Sequence, residues 1–177
     1  MIETSRLVLR RWREDDKAPY AALNADPEVR RYFPSVLSRA ESDAGAERID
    51  RSFDLHGFGL WAVERKADRV FLGLTGLDAI DDDYPEGLAG GVEIGWRLAR
   101  HAWGQGYASE AARAALSYGF DWAGLKTIYS FTALGNSRSE AVMRRIGMSR
   151  APELDFGHPR VAEGHPLRPH IVYASRA

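Results

Sequence analysis

Two glycines that are one residue apart, Gly104 and Gly106, lie between a predicted strand and an alanine-rich predicted helix. Glycine has no Cβ, so such a turn leaves successive backbone N–H groups accessible. At a helix N-terminus these donors add to the positive end of the helix dipole, which favours an anion such as a phosphate. The spacing alone is equally compatible with an ordinary strand-to-helix turn that has a glycine N-cap.

Two other phosphate-binding motifs do not fit this segment. A P-loop requires Gly-x-x-x-x-Gly-Lys-Ser/Thr, and no such run occurs. A dinucleotide fold requires a third glycine and an acidic residue ~20 positions later. Ser109 occupies the place of that glycine, and Lys126-Thr127 stand where the acid is required. These departures argue against a nucleotide-dependent oxidoreductase.

The composition narrows the chemistry further. The chain has 177 residues, no cysteine and a net charge of -1, so we expect a single domain over residues 1–177. Disulfides, cysteine-ligated metals and a cysteine nucleophile are excluded. The charge indicates neither a nucleic-acid partner nor a membrane anchor. No signal peptide or membrane span is recognisable, so we expect a cytoplasmic protein.

Hydrophobic patterning predicts an α+β protein with a mostly antiparallel sheet, because strands and helices are mixed without strict alternation. In Val92–Leu98 every second residue is apolar, which places Glu93, Gly95 and Arg97 on the opposite face from Ile94. Residues 78–91 are predicted to form a loop. The predicted strands are 7–9, 60–63, 70–74, 92–98, 127–133 and 171–173, and the predicted helices are 15–23, 38–56, 106–122 and 137–146.

The segment Trp103–Ala111 resembles the acetyl-CoA motif of the GNAT N-acetyltransferases, in the branch typified by RimJ and RimL. The resemblance covers nearly the whole chain, because further segments match that branch in the same order. These are Thr4–Arg10, Asn136-x-x-Ser139, Ile146–Met148, Gly157–Pro159 and Pro169–Tyr173.

This resemblance implies α/β/α layers around a mixed, mostly antiparallel, splayed sheet, with acetyl-CoA between the strands 93–98 and 128–133. Backbone groups of Trp96 and Leu98 would pair with the pantetheine arm, and amides from Ala102 to Tyr107 would hold the pyrophosphate. His101 stands where many members have Arg or Gln, which puts a phosphate contact from that side chain in doubt. The implied cofactor-binding residues are Trp96, Leu98, Ala102, Trp103, Gly104, Gln105, Gly106, Tyr107, Ala108, Asn136 and Ser139.

Two catalytic residues are expected. Because the chain has no cysteine and no Gly-x-Ser-x-Gly elbow, acetyl transfer would go directly from thioester to amine. Glu93 is the candidate base, unless it forms a salt bridge with Arg97. Met143 occupies the place where many members of the resembled family have a thiolate-protonating tyrosine, and the resemblance to RimL-like enzymes implies Ser139 as the donor. Tyr107 or water could serve instead, and Ser139 could merely satisfy backbone amides at the helix start.

Several other side chains have a structural interpretation beside a functional one. Asn136 also fits a turn before a helix, and Glu110 is favoured at a helix N-terminus without any catalytic role. The aromatic residues Trp12, Phe33 and Trp61 could line an acceptor pocket, although aromatic residues are more often part of a core. The acidic segment 78–86 and the tail histidines lack the spacing of a metal site, and no metal is expected.

The sequence thus favours an acetyl-CoA-dependent N-acetyltransferase that acts on a primary amine. The acceptor would be a protein or peptide N-terminus or a small amine, in a ternary complex. The alternative is a non-catalytic acyl-CoA-binding regulatory module on the same fold. The expected partners are acetyl-CoA and the amine acceptor, and the sequence leaves a homodimer open.

Overall fold

The computed structural model describes all 177 residues, and it contains nine strands and four α-helices. The strands are β1 (Ile2–Glu3), β2 (Leu7–Arg10), β3 (Leu60–Arg65), β4 (Phe71–Ala79), β5 (Val92–Leu98), β6 (Thr127–Ala133), β7 (Ser149–Arg150), β8 (Phe156–Gly157) and β9 (Pro169–Arg176). The helices are α1 (Lys17–Ala25), α2 (Arg39–His56), α3 (Tyr107–Asp121) and α4 (Ser137–Arg145).

One sheet contains all nine strands, in the order β1-β2-β3-β4-β5-β6-β9-β7, and β8 pairs with β9. Every pair is antiparallel except β5 and β6. The expected α+β class with a mixed, mostly antiparallel sheet is therefore confirmed. A doubly wound parallel sheet, which an oxidoreductase of the dinucleotide-binding kind requires, is absent.

Two hydrophobic clusters cover the two faces of the sheet. Side chains of Trp61 and Val63 pack in the larger cluster with α3, whereas Ala62 between them packs in a second cluster with α1 and α2. Since successive side chains of a strand point to opposite faces, α3 and the α1–α2 pair lie on opposite sides of the sheet. Ile94 and Leu98 of β5 belong to the α3 side.

Local signals set the helix boundaries. Ser38 and Glu41 form a reciprocal capping box at the start of α2, and Gly57 ends that helix with a φ of +75°. None of the four helices has the length and apolarity that a membrane span requires.

Two strands, β4 and β9, extend several residues beyond the prediction. β4 continues to Ala79, so the assignment of Asp78 to a loop was wrong: Asp78 pairs directly with Glu93 of β5. β9 extends over Pro169–Arg176 because it pairs along its length with β6. The two-residue strands β1, β7 and β8 are too short to leave a periodic pattern in the sequence.

Candidate active site

The sheet opens between its two central strands. β5 and β6 share one parallel bridge, Glu93 with Tyr129, and do not pair beyond it. The Ser130 hydroxyl donates to the Ile94 carbonyl at 2.9 Å, so a side chain replaces the next backbone bond. Beyond Ile94, toward the carboxyl end of β5, the two strands are therefore no longer paired, and we call this opening the gap.

Backbone groups of β5 face this gap. Ile80 N donates to Gly91 O, and Ala99 N donates to Leu72 O, at the two ends of the β4–β5 ladder. These bonds show that every second residue from Gly91 to Ala99 directs its backbone groups toward β4. In an antiparallel pair every second residue directs its N–H and C=O away from the partner strand. Trp96 and Leu98 are such residues, although the Trp103 indole already donates to the Leu98 carbonyl at 2.8 Å.

A run of six unpaired amides follows β5. A short 3-10 turn over Arg100–Ala102 engages the N–H groups of Ala102 and Trp103, which donate to Ala99 and Arg100. The N–H groups of the next six residues, Gly104–Ser109, make no hydrogen bond within the protein. We call Gly104–Ser109 the amide turn. The amides of Ala102 and Trp103, which the resemblance implied as pyrophosphate donors, are thus engaged within the protein.

The amide turn depends on its glycines. Gly104 and Gly106 have φ values of +73° and +79°, a region that side chains with a Cβ rarely adopt. Gly106 is the N-cap of α3, and no side chain caps that helix. Six amide donors at the start of a 15-residue helix provide what a diphosphate requires, so these residues fit the phosphate portion of a coenzyme.

The N-terminal segment holds the amide turn in place. Glu110 accepts hydrogen bonds from Thr4 at 2.6 Å, Ser5 at 3.1 Å and the Arg6 backbone at 3.0 Å. Arg6 also forms an ion pair with Glu110 at 2.6 Å and donates to the Gln105 carbonyl at 3.0 Å. Glu110 is thus a structural residue that connects Thr4–Arg6 to the start of α3.

Glu93 lies on the face of β5 that α1 and α2 cover. Burial and then the nearby Asp78 carboxylate raise its pKa to about 8, while Arg160 opposes the shift. No salt bridge joins Glu93 to Arg97, because residues four apart on a strand are separated by about 13 Å. Arg97 instead donates to Asn24 at 2.7 Å. A partly buried carboxyl with a pKa near neutrality is suited to accept a proton from an amine.

Ser139 is the third residue of α4, the helix that follows β6. Asn136 caps this helix by accepting from the Ser139 amide at 3.3 Å, and its side-chain NH2 donates to Ser139 Oγ at 3.1 Å and to Thr132 at 2.8 Å. Asn136 thereby performs the capping role that the sequence left open for Ser139. The Ser139 hydroxyl proton has no acceptor within the protein.

Other candidates for the thiolate donor are less well placed. Tyr107 is buried under the Arg6 guanidinium, which lies 4.6 Å from the ring centre, and its hydroxyl interacts with Arg65 of β3. Met143 is almost fully buried in the core. Ser139 is therefore the hydroxyl of this set that remains free to donate.

The three aromatic residues that were candidates for an acceptor pocket have different surroundings. Trp61 is buried in the core, and the Trp12 indole donates to the Leu60 carbonyl at 2.8 Å. Phe33 is 37% exposed, in the loop between α1 and α2. The same loop reaches across the sheet, because Tyr32 Oη donates to the Gly135 carbonyl at 3.1 Å. Phe33 is thus the aromatic residue that remains available to an acceptor.

The acidic loop after β4 is paired with the tail of the chain. Arg160 forms ion pairs with Asp81 and Asp83, and Tyr84 Oη lies 3.1 Å from His158 Nε2. His158 and His170 pack against each other with ring centres 4.8 Å apart. No cluster of three or more His, Asp or Glu residues could share a metal ion.

Sequence reasoning missed the contribution of Asp78 and Arg160 to the Glu93 environment. Pairing Asp78 with Glu93 requires the register of β4 and β5, and the sequence alone does not provide it. An open groove of ≈ 790 Å³ also lies beside the amide turn, and its lining includes His101, Trp103 and Arg138. Arg138 stacks 4.5 Å from the Trp103 ring centre.

Comparison with known proteins places this geometry in a family. Residues 6–149 match the family described as "Acetyltransferase (GNAT) domain". The uncharacterized N-acetyltransferase YnaD of Bacillus subtilis strain 168 is 45% identical over 149 residues, which cover 84% of this chain and 82% of that protein.

Solved structures share the fold over the full length. A GNAT-family acetyltransferase from Bacillus anthracis superposes with a TM-score of 0.80 and 24% identity, covering 99% of this chain and 97% of that one. RimL, a ribosomal L7/L12 alpha-N-protein acetyltransferase solved with coenzyme A, superposes with a TM-score of 0.76 and 17% identity, covering 98% and 95%. With the splayed sheet and the amide turn in place, the chain belongs to the GNAT acetyltransferase family.

Proposed function

We propose that this protein is an acetyl-CoA-dependent N-acetyltransferase that transfers the acetyl group directly to a primary amine in a ternary complex. The observation that carries the proposal is the run of six unpaired amides, Gly104–Ser109, beside the gap between β5 and β6. Acetyl-CoA supplies an activated thioester when it is bound. The remaining steps concern what this chain's own residues do.

The amide turn would hold the diphosphate through backbone N–H groups and the N-terminus of α3. Trp96 and Leu98 would pair with the pantetheine arm, since their backbone groups face the gap. For Leu98 this role falls to the N–H group, because its carbonyl is engaged by Trp103. Asn136 and Ser139 would line the opposite side of the gap, where α4 begins after β6.

Glu93 would accept the proton of the acceptor amine, directly or through a water molecule. An α-amino group with a pKa near ~8 is partly neutral at pH 7, whereas a lysine-type amine near ~10.4 is almost fully charged. The Glu93 carboxyl, with its pKa raised to about 8, is close in pKa to an α-amino group. The proposal therefore favours a protein or peptide N-terminus, or a small amine of similar pKa.

Ser139 would donate to the thiolate that leaves when the thioester bond breaks. Its Oγ is fixed by Asn136, and its proton is not used within the protein. The proton balance is then complete: Glu93 takes one proton from the amine, and Ser139, resupplied by solvent, gives one to the sulfur.

A free-thiol assay tests the proposal. The protein is incubated with acetyl-CoA alone and with each member of a panel of amines and peptides, and thiol release is followed with mass detection of the acetylated product. We expect thiol only when an acceptor is present, with one acetyl group added per thiol. Tight acetyl-CoA binding without release for any acceptor would instead support the acyl-CoA-binding module.

A further inference from the structure

Two arginines share one aromatic ring on the face of the sheet that carries Glu93. The guanidinium carbons of Arg30 and Arg97 lie 4.1 Å and 4.5 Å from the centre of the Phe33 ring. We call Arg30, Phe33 and Arg97 the arginine pair site. Two positive charges this close repel each other, and a ring quadrupole compensates only part of that cost.

No carboxylate of the protein balances these charges. Neither Arg30 nor Arg97 is within 4.0 Å of an acidic oxygen, although Arg30 is 91% buried. Glu41, the acid nearest in effect to Arg30, is held by Ser38 at 2.7 Å. Buried charges in proteins are normally paired, so this arrangement leaves an electrostatic demand for an anion.

The pKa values of Arg30 and Arg97 are both lowered, as expected for buried guanidiniums without a bound anion. Burial and then the Arg97 charge lower the pKa of Arg30 to about 10. Burial also lowers the pKa of Arg97. The Tyr20 phenol on α1 opposes this shift, and the Arg48 charge on α2 adds a smaller lowering effect. Both guanidiniums thus carry a cost of lost hydration, which a bound anion would offset.

Several guanidinium donors are free to bind such an anion. Arg97 uses one nitrogen for Asn24, and its buried Nε has no partner. Arg30 uses only its Nε, which donates to the Ser35 carbonyl at 2.8 Å. Asn24 is itself fixed by a hydrogen bond to Ser42 at 2.8 Å, so Arg97 is held in a defined orientation.

The arginine pair site lies on the same strand face as the candidate base. Glu93 and Arg97 are four residues apart on β5, so their Cα atoms are separated by about 13 Å. Gly95 stands between them, and a Cβ there would meet only Leu60, at 3.9 Å. The strand therefore presents an acid at one end, a guanidinium at the other and no side chain between them.

We propose that the acceptor carries an anionic oxygen group, a carboxylate or a phosphate, which Arg97 and Arg30 bind while its amine lies at Glu93. The inference rests on the proposed function and narrows the acceptor to amines with a distant anion. Polyamines are disfavoured, because their second charge would meet two guanidiniums. The intervening Gly95 leaves room for the chain that joins amine and anion.

Calorimetry with the protein saturated with coenzyme A tests this without requiring turnover. The ligands are matched for length: 6-aminohexanoate, 6-aminohexyl phosphate, 6-aminohexanol and 1,6-diaminohexane, with the corresponding four- and eight-carbon sets. We expect at least one anionic ligand to bind 10-fold or more tightly than its amino alcohol. The carboxylate and phosphate arms identify which anion is recognised.

Variants then locate the effect. Arg97→Gln and, separately, Arg30→Gln should reduce the preference for the anionic ligand to near onefold while the affinity for coenzyme A stays unchanged. That unchanged affinity shows that the variants fold. Arg51→Gln, an exposed arginine on α2 without an ion pair, serves as the control and should keep the full preference.

Three results would overturn the inference: equal binding of anionic and neutral ligands at every length, tighter binding of the diamine, or weakened coenzyme A binding in the Arg97 variant. The proposed function fails separately, in the thiol assay. Preferred binding of anionic amines, together with no thiol release for any amine or peptide of the panel, would support the anion site and refute the proposed reaction.

Discussion

Glu93 is unusual among the acidic side chains of this protein because a second carboxylate lies directly across the strand pair. Burial and Asp78 together hold its pKa at about 8, whereas ion pairs with arginine lower the pKa values of the surface residues Asp54 and Asp68. The residue type and strand position of Glu93 were visible in the sequence. Asp78, the neighbour that raises its pKa, could not be identified there, because strand register depends on tertiary contacts.

Replacing Glu93 by Gln should lower kcat by about 10²-fold, because the amine loses its general base. The affinity for acetyl-CoA should remain near that of the wild type, since Glu93 lies outside the amide turn. Steady-state kinetics and calorimetry measure the two quantities. Unchanged turnover would remove Glu93 from the mechanism.

The pH dependence should follow the raised pKa of Glu93. Below about 8 the carboxyl is protonated and cannot accept a proton, so kcat should rise with pH through that value. The profile is best measured with a weakly basic amine that is neutral over the whole range. Asp78→Asn should move the rise to lower pH because it removes a like charge, and a profile that does not respond would contradict this account.

Ser139→Ala should slow turnover by about 10-fold, since the leaving thiolate would lose a hydrogen-bond donor. Helix α4 should remain intact because Asn136, not Ser139, provides its cap. The affinity for acetyl-CoA and the thermal stability serve as controls. Wild-type turnover in this variant would assign the proton to water.

At the scale of elements, the amide turn combines a glycine pattern that the sequence reveals with a pairing pattern that it does not. Gly104 and Gly106 adopt the positive φ values that their spacing suggested. That the free amides begin at Gly104 follows from the 3-10 turn before it, which engages the amides of Ala102 and Trp103. Hydrogen bonds of this kind depend on chain geometry rather than residue type.

Gly106→Val should weaken acetyl-CoA binding by at least 10-fold, because it adds a branched side chain where the amides must approach a diphosphate. The variant also forces a Cβ residue to a φ of +79°, which costs roughly 1–2 kcal/mol. Gly124→Val is the matched control, since Gly124 has a φ of +67° after the far end of α3. An equal loss of binding in both variants would argue against the amide turn.

At the scale of the whole molecule, residues more than 100 positions apart build the site together. Glu110 of α3 binds Thr4, Ser5 and Arg6, so the first strands and the amide turn form one unit. The sequence showed both segments, but it could not show that they touch. Only the resemblance to a family linked them before the fold was known.

Glu110→Gln should lower the free energy of unfolding by about 1–3 kcal/mol, because charge-assisted hydrogen bonds to the N-terminal segment become weaker. Urea unfolding measures this change. Acetyl-CoA affinity should fall as well, since Arg6 also fixes the Gln105 carbonyl. Glu153→Gln, on an exposed residue outside any ion pair, is the control and should leave both quantities unaltered.

The most direct test of the central claim is a crystal structure of the protein grown with acetyl-CoA. The account predicts diphosphate oxygens within hydrogen-bonding distance of backbone nitrogens in Gly104–Ser109, and the thioester in the gap between Glu93 and Ser139. A coenzyme bound with its diphosphate away from those nitrogens would contradict it.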